Sequence, residues 1–269
     1  MNQFFVWVPV GLYLAGWLVD FLRYWRAEAG AAHWGWGLMA IGWGAHTIFL
    51  ASGLFEQVST LPNLLSGAAW LAIILYYFIL GKFEGPVFGF IFPPFAVAAL
   101  LLAALLSAQP LPSIEHLAAS LALIQAVLIT HIVTVLSGHL LFALACLFGI
   151  VYLYQEHQLK TKRSLMDSRL PSLGALEHLN FKAIILGFLF LSVGILLGVV
   201  LSGLMSAPMR MLTWRQAIPL FTWLVYAAFL LEHSVQGRRG RFGAIWSIAG
   251  FLIVTTSLIF ELLLLFRRA

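Results

Sequence analysis

The sequence predicts an all-α integral membrane protein, a bundle of about eight transmembrane helices with both termini on the outer, periplasmic side. Three observations predict it: composition, the number of long apolar runs, and the placement of basic residues between them. The chain has 269 residues, of which 62% are hydrophobic and 9% charged, with a mean hydropathy of +0.98. A soluble domain carries charge at about 25% of positions, so most of this surface is expected to face lipid.

A helix needs about 20 apolar residues to cross the hydrocarbon layer. The runs that qualify are Phe4 to Leu22, Trp34 to Leu54, Leu64 to Leu80, Val87 to Ser107, Ile124 to Tyr154, Ala183 to Met205, Ala217 to Leu231 and Phe242 to Phe266. The first has no basic residue before it and no small-residue cleavage site, and reads as a retained span rather than a signal peptide. The fourth contains Pro93 and Pro94, which are expected to kink or break it. Between the fourth and fifth, "SIEHLAA" (Ser113 to Ala119) suits a short interfacial helix or an N-terminal extension of the fifth. The stretch from Gln155 to Lys182 is polar, includes Pro171 and Gly174, and reads as an ordered turn or linker. No second domain, repeat array or low-complexity tract is evident, so residues 1–269 read as one transmembrane domain.

Loops after the first, third, fifth and seventh runs share one side. They hold Arg23, Arg26, Lys82, Lys160, Lys162, Arg163, Arg169, Lys182, Arg238, Arg239 and Arg241, against Arg210, Arg215, Arg267 and Arg268 on the other. The positive-inside rule therefore puts the first group in the cytoplasm of a bacterial inner membrane protein. The formal net charge of +5 is explained by this topology, and no nucleic-acid partner is implied. The single cysteine, Cys146, lies in an apolar run and reads as a small core residue. No nucleophile with an adjacent base and no phosphate loop appears, so the reading is of a protein without enzymatic turnover.

Eight histidines carry the chemistry. His33, His116, His157 and His178 fall in loops or at their edges, as ordinary half-wet residues do. His46, His131, His139 and His233 fall within or at the ends of spans, where an ionisable residue is costly and marks a functional site by default. Proton relays pair such histidines with buried carboxylates, yet Asp20, Glu232 and Glu261 all lie near span ends. His131 and His139 stand about 80° apart around a helix axis and ~12 Å apart along it, too far to share one small ion. Haem needs only one or two axial ligands within a wide aromatic pocket, and the chain has 22 Phe and 10 Trp to build one, although lipid-facing belts also use these residues. By helical rise His46 lies ~18 Å above the inner end of its span and His131 roughly 10 Å below the outer end of its own, a similar height in the outer half of a ~30 Å core. His46 and His131 are thus the candidate axial ligands of a haem iron. His139 lies lower, and His233 sits near the inner surface.

The pattern "THIVTVLSGHLLFALACLFGIVYLYQEHQLKTKR" (Thr130 to Arg163) resembles the histidine-led span of the cytochrome c assembly family, the CcsA/HemX-like membrane proteins. In that family "HI" opens a helix ending in a "YL-Q---LK-K" tail. "WLVYAAFLLEHSVQGRRGRFGAIWSIAGF" (Trp223 to Phe251) resembles its "WL-YA--L" span and "G-RGR" turn, and "GWGAHTIFLASGL" (Gly42 to Leu54) its early histidine span. The resemblance implies that His46, His131 and His233 bear on haem, haem b being the expected form. His139 stands where many members have an aromatic residue, so its ligand role is not inherited, and a polar residue hydrogen-bonded within the bundle is the alternative. Members that deliver haem to apocytochrome c carry an outer "WWD" motif and an outer histidine after the last span. Here "MSAPMRMLTWRQAIPLFTW" (Met205 to Trp223) has Trp214 but no aspartate, and "SLIFELLLLFRRA" has no histidine. The chain looks more like the HemX/YpjD-type branch. Arg210 and Arg215 in that outer loop are candidates to pair with haem propionates, or are residual loop charges.

The function so implied is haem handling or cytochrome c maturation, with haem and other maturation or tetrapyrrole-synthesis proteins as partners. The alternative is a regulatory or scaffold membrane protein that binds no haem, which the missing motif favours. A transporter is disfavoured by the absence of an internal repeat and of midplane carboxylates.

Overall fold

The computed structural model describes residues 4–25, 34–53, 61–80, 92–105, 122–161, 171–204, 214–237 and 240–266. Among these the regular structure is all helical: α1 (Phe4–Trp25), α2 (Trp34–Gly53), α3 (Leu61–Leu80), α4 (Phe92–Leu105), α5 (Ala122–Lys160), α6 (Leu173–Leu204), α7 (Trp214–Gln236) and α8 (Arg241–Phe266). Among the described residues, three stretches, Leu123–Lys160, Leu173–Leu204 and Ala217–Val235, are long and apolar enough to cross a membrane. Pro62–Tyr77, Phe92–Leu105 and Arg241–Thr256 are shorter apolar helices. Leu189, Val193, Leu196, Val199 and Val200 all project outward from α6. Such a continuous apolar face is stable only against lipid or another apolar surface.

Several boundaries differ from those the apolar runs suggest. Pro93 and Pro94 lie in the first turn of α4, where the missing N–H groups have no intrahelical partner to lose. Within the polar stretch from Gln155 to Lys182, the described residues are helical up to Lys160 and again from Leu173, and residues 162–170 lie outside the described residues. α5 continues to Lys160, supported by a Lys160 Nζ to Glu156 Oε1 ion pair of 2.7 Å one turn back. α6 begins at Leu173, ten residues before the apolar run, because Ser172 caps it: the Ala175 N–H donates to Ser172 Oγ at 3.3 Å and the Leu176 N–H to the Ser172 carbonyl at 3.0 Å. Leu176, Leu179 and Asn180 in this added segment are buried, so packing rather than lipid holds it helical. α7 likewise extends beyond the run from Ala217 to Leu231 at both ends. The "SIEHLAA" segment, Arg210, His33 and His116 lie outside the described residues.

The helices form two compact units, Met1–Gln125 and Ala126–Ala269. In the first, α1 packs on α2 and α4, and α3 on α4 and α2. The α1–α2 seam is made by glycines. A Cβ on Gly16 would lie 2.6 Å from the Gly35 carbonyl oxygen, and one on Gly42 would lie 2.9 Å from Leu12 and 3.1 Å from the Tyr13 ring. Small residues let helix backbones approach closely where lipid supplies no hydrophobic drive. The consequence is that Tyr13 is pressed against α2 one turn from His46.

The second unit uses the same device on α6. A Cβ on Gly187 would meet the Phe142 ring at 2.8 Å, one on Gly194 the Val135 side chain at 2.8 Å, and one on Gly198 the His131 ring at 3.2 Å. These three glycines receive three side chains of α5. A buried amide ties the other end: Asn180 Nδ2 donates to the Ala145 carbonyl at 2.7 Å and to Ser247 Oγ at 2.8 Å, joining α5, α6 and α8. The Phe142 and Tyr226 rings stack at 3.9 Å and 4°, linking α7 to α5.

Candidate functional site

Each span histidine is held by a different kind of partner. His46, on α2 of the first unit, is fully buried between two hydroxyls, themselves buried. Its Nδ1 lies 3.1 Å from the Tyr13 hydroxyl of α1, and its Nε2 lies 2.8 Å from Ser66 Oγ of α3. A neutral imidazole has one N–H and one lone pair, and a hydroxyl both donates and accepts, so either tautomer makes both bonds, one hydroxyl donating to the ring and the other accepting from it. The surroundings are aromatic. Phe49 lies 6.3 Å away centroid to centroid, and Trp43 stacks on Trp70 at 5.3 Å. Trp70 is held by an Nε1–H to Thr47 Oγ1 bond of 2.8 Å.

His131, on α5 of the second unit, is only partly buried, and its bonding fixes its tautomer. Nδ1 lies 2.8 Å from the Gly194 carbonyl of α6. A carbonyl only accepts, so Nδ1 carries the proton and donates it. Nε2 is then the lone pair, and among the described residues it makes no hydrogen bond. The ring lies along α6 between Gly194 and Gly198, and the missing side chain at Gly198 makes room for it. An imidazole whose Nδ1–H is tied to a backbone carbonyl, with Nε2 bare, is the arrangement by which proteins present histidine to a metal. The donor chemistry of His131 therefore fits a haem iron. His46, by contrast, is fully buried with both ring nitrogens engaged by hydroxyls, and as packed it presents no bare nitrogen.

His139 donates Nδ1–H to the carbonyl of Val135, one turn back in its own helix, at 2.7 Å. His233 sits in the last turn of α7 and stacks on Phe181 of α6 at 3.9 Å and 25°. α7 ends there because the Gly237 N–H donates to the His233 carbonyl at 3.1 Å with Gly237 at φ +62°. Arg215 falls in the first turn of α7.

Tyr13, Ser66, Gly194, Gly198 and Phe181 are absent from the sequence-based site and are the partners of its histidines. Two signals for them exist in the chain. Tyr13 and Ser66 are isolated hydroxyls in apolar runs, and Gly187, Gly194 and Gly198 recur on one face of α6.

The family model described as Cytochrome C assembly protein matches residues 58–265, more than half of the chain and across both units. The chain belongs to the cytochrome c assembly family. It is 25% identical to the protein HemX of Bacillus subtilis (strain 168) over 245 residues, which is 88% of this chain and 85% of that protein. To the protein HemX of Brevibacillus brevis it is 24% identical over 260 residues, 92% and 91% of the two chains. The cytochrome c biogenesis protein CcsA of Prochlorococcus marinus (strain NATL1A) is 31% identical over 104 residues, 38% of this chain and 32% of its own length. No solved structure matches. The likeness to the HemX proteins runs nearly end to end, which places this family member in the HemX-like branch. Family membership and the long apolar helices together make it a multi-pass membrane protein, and membership supports a role in cytochrome c biogenesis.

Proposed function

We propose that this family member is a haem-binding protein of the bacterial inner membrane, acting in haem handling or cytochrome c maturation without turnover of its own. The observation that carries the reading is the bond from the His131 Nδ1–H to the Gly194 carbonyl, which leaves Nε2 as an unshared lone pair in a span. His46, at a similar depth along its own span, is the other candidate for iron ligation. Haem b, when bound, contributes the iron and its redox change. The chain's own residues orient two imidazoles and exclude water.

All eight helices cross the bilayer in this reading, with both termini outside. His233 and, more weakly, His139 lie along the haem's route or rest place, and Arg210 and Arg215 pair with propionates at the outer surface. Haem and other maturation or tetrapyrrole-synthesis proteins are the partners. The test is the haem content of detergent-purified wild-type protein and His131→Ala. A loss of most of the haem from the variant is expected, and undiminished haem would refute the assignment.

A second reading, a regulatory or scaffold protein that carries no haem, is favoured by a specific observation. Both ring nitrogens of His46 are already satisfied within the protein. Wild type that stays colourless after haem is supplied would move the account there.

A further inference from the structure

The Gly194 carbonyl serves two donors. Inside α6 it accepts the N–H of Gly198, four residues on, as interior helix carbonyls do, and its second lone pair takes the His131 Nδ1–H at 2.8 Å. Gly198 therefore belongs to the same hydrogen-bonded turn as the acceptor. It also bounds the ring: a Cβ on Gly198 would lie 3.2 Å from Cε1, 3.6 Å from Nδ1 and 4.0 Å from Nε2 of His131. A Cβ leans toward the N-terminus of its helix, so this one would point back over the Gly194 turn, into space that the imidazole fills.

The backbones of α5 and α6 leave little slack beside this ring. Val135, one turn from His131, is lodged against Gly194, where a Cβ would lie 2.8 Å from Val135 Cγ2. Gly138 is held as closely, since a Cβ there would lie 3.3 Å from both the Gly187 carbonyl oxygen and the Leu191 nitrogen. A side chain at position 198 is thus accommodated by the ring. A displacement of a few tenths of an ångström at Cε1 draws Nδ1 off its acceptor. An imidazole released in this way returns to the tautomer that free histidine prefers, with the proton on Nε2 and the lone pair on Nδ1. Nε2 itself is accessible as packed. The ring is half-buried, and Nε2 is not one of the enclosed, unpartnered side-chain atoms of the described residues.

We infer that Gly198 is the positioning residue of His131: by leaving room for the ring it lets the Gly194 carbonyl hold the proton on Nδ1, and so keeps Nε2 bare for iron. The inference rests on the proposed haem-binding role of His131. Gly198 acts only through the imidazole. Gly198→Ala should shift the apoprotein's His131 toward the Nε2–H tautomer and loosen haem binding by about two- to tenfold, the value of one net hydrogen bond. It should also move the reduction potential in the positive direction, since an imidazole whose Nδ1–H no longer donates is a less basic ligand. Gly187→Ala separates positioning from packing. Its Cβ would meet the Phe142 ring at 2.8 Å, and its three nearest atoms all belong to that ring, so it disturbs the same helix pair three turns from Gly198. Gly187→Ala should lower stability and leave the His131 tautomer, the haem affinity and the potential as in wild type.

The experiment begins without haem, with ¹⁵N spectra of histidine-labelled, full-length apoprotein in detergent for wild type, Gly198→Ala and Gly187→Ala, and His131→Ala to assign the resonance. Absorbance titration of the same four proteins with haemin follows, with potentiometry on those that load. A protonated Nδ1 in wild type and Gly187→Ala, lost in Gly198→Ala together with weaker binding and a positive potential shift, supports the inference. A protonated Nε2 in the wild-type apoprotein overturns it whatever the variants do. Equal changes in Gly187→Ala and Gly198→Ala overturn it too, because packing alone then explains them. Binding that is lost in His131→Ala but unchanged in Gly198→Ala overturns the positioning role and leaves the haem-binding reading intact. Unchanged binding in His131→Ala refutes His131 as the ligand, and the inference with it.

Discussion

Asn180 and Tyr226 measure what a buried polar atom is worth in the second unit. Asn180 is almost fully buried and donates two hydrogen bonds that join three helices. Asn180→Ala removes both bonds, while Ser247 keeps its bond to the Ala244 carbonyl at 2.9 Å, and should lower stability by about 1–2 kcal/mol. Tyr226 is as deeply buried, but its hydroxyl finds no hydrogen-bond partner among the described residues. Tyr226→Phe keeps the stack on Phe142 and drops only that hydroxyl, so stability should be unchanged or rise by up to about 1 kcal/mol. Equilibrium unfolding in mixed detergent checks both; a Tyr226→Phe protein less stable than Asn180→Ala would contradict this ordering. At this scale the histidines were legible in the sequence, because an imidazole inside an apolar run stands out by cost alone. Their partners were not. Ser66 and Gly194 are contributed from 20 and 63 residues away, and pairing at that separation is decided by how helices pack rather than by any local pattern.

The turn between α7 and α8 shows how an element ends. Gly237 and Gly240 both adopt left-handed backbone, at φ +62° and +67°, and both are closed by N–H to carbonyl bonds of 3.1 Å, Gly237 donating and Gly240 accepting. Their surroundings differ. A Cβ on Gly237 meets nothing, whereas one on Gly240 would lie 2.6 Å from the Tyr152 hydroxyl of α5. Gly237→Ala should therefore cost about 1 kcal/mol of backbone strain alone. Gly240→Ala should cost clearly more, because Tyr152 must move too. Thermal unfolding of the two variants decides this, equal losses being the contrary result. Element positions were largely readable from apolar runs, since lipid demands them. The start of α6 was not, because its first ten residues are stabilised by the Ser172 cap and by burial of Leu176 and Asn180 rather than by hydropathy. The prolines of α4 stand in its first turn, where residues that disrupt a helix interior are well tolerated, and the part of the apolar run before Phe92 lies outside the described residues.

The whole molecule consists of two compact units, with His46 in the first and His131, His139 and His233 in the second. Composition was enough to place the chain in a membrane, and the histidine-bearing spans were enough to suggest the family that the match over residues 58–265 establishes. The central claim is the proposal that the span histidines His46 and His131 bind haem iron. The most direct test is the absorption spectrum, oxidised and dithionite-reduced, of the detergent-purified protein beside a His46→Ala, His131→Ala double variant. A low-spin b-type spectrum in the wild type that is lost in the double variant is the result the account predicts. The same spectrum retained in the double variant, or a wild type that stays colourless when haem is supplied, would contradict it.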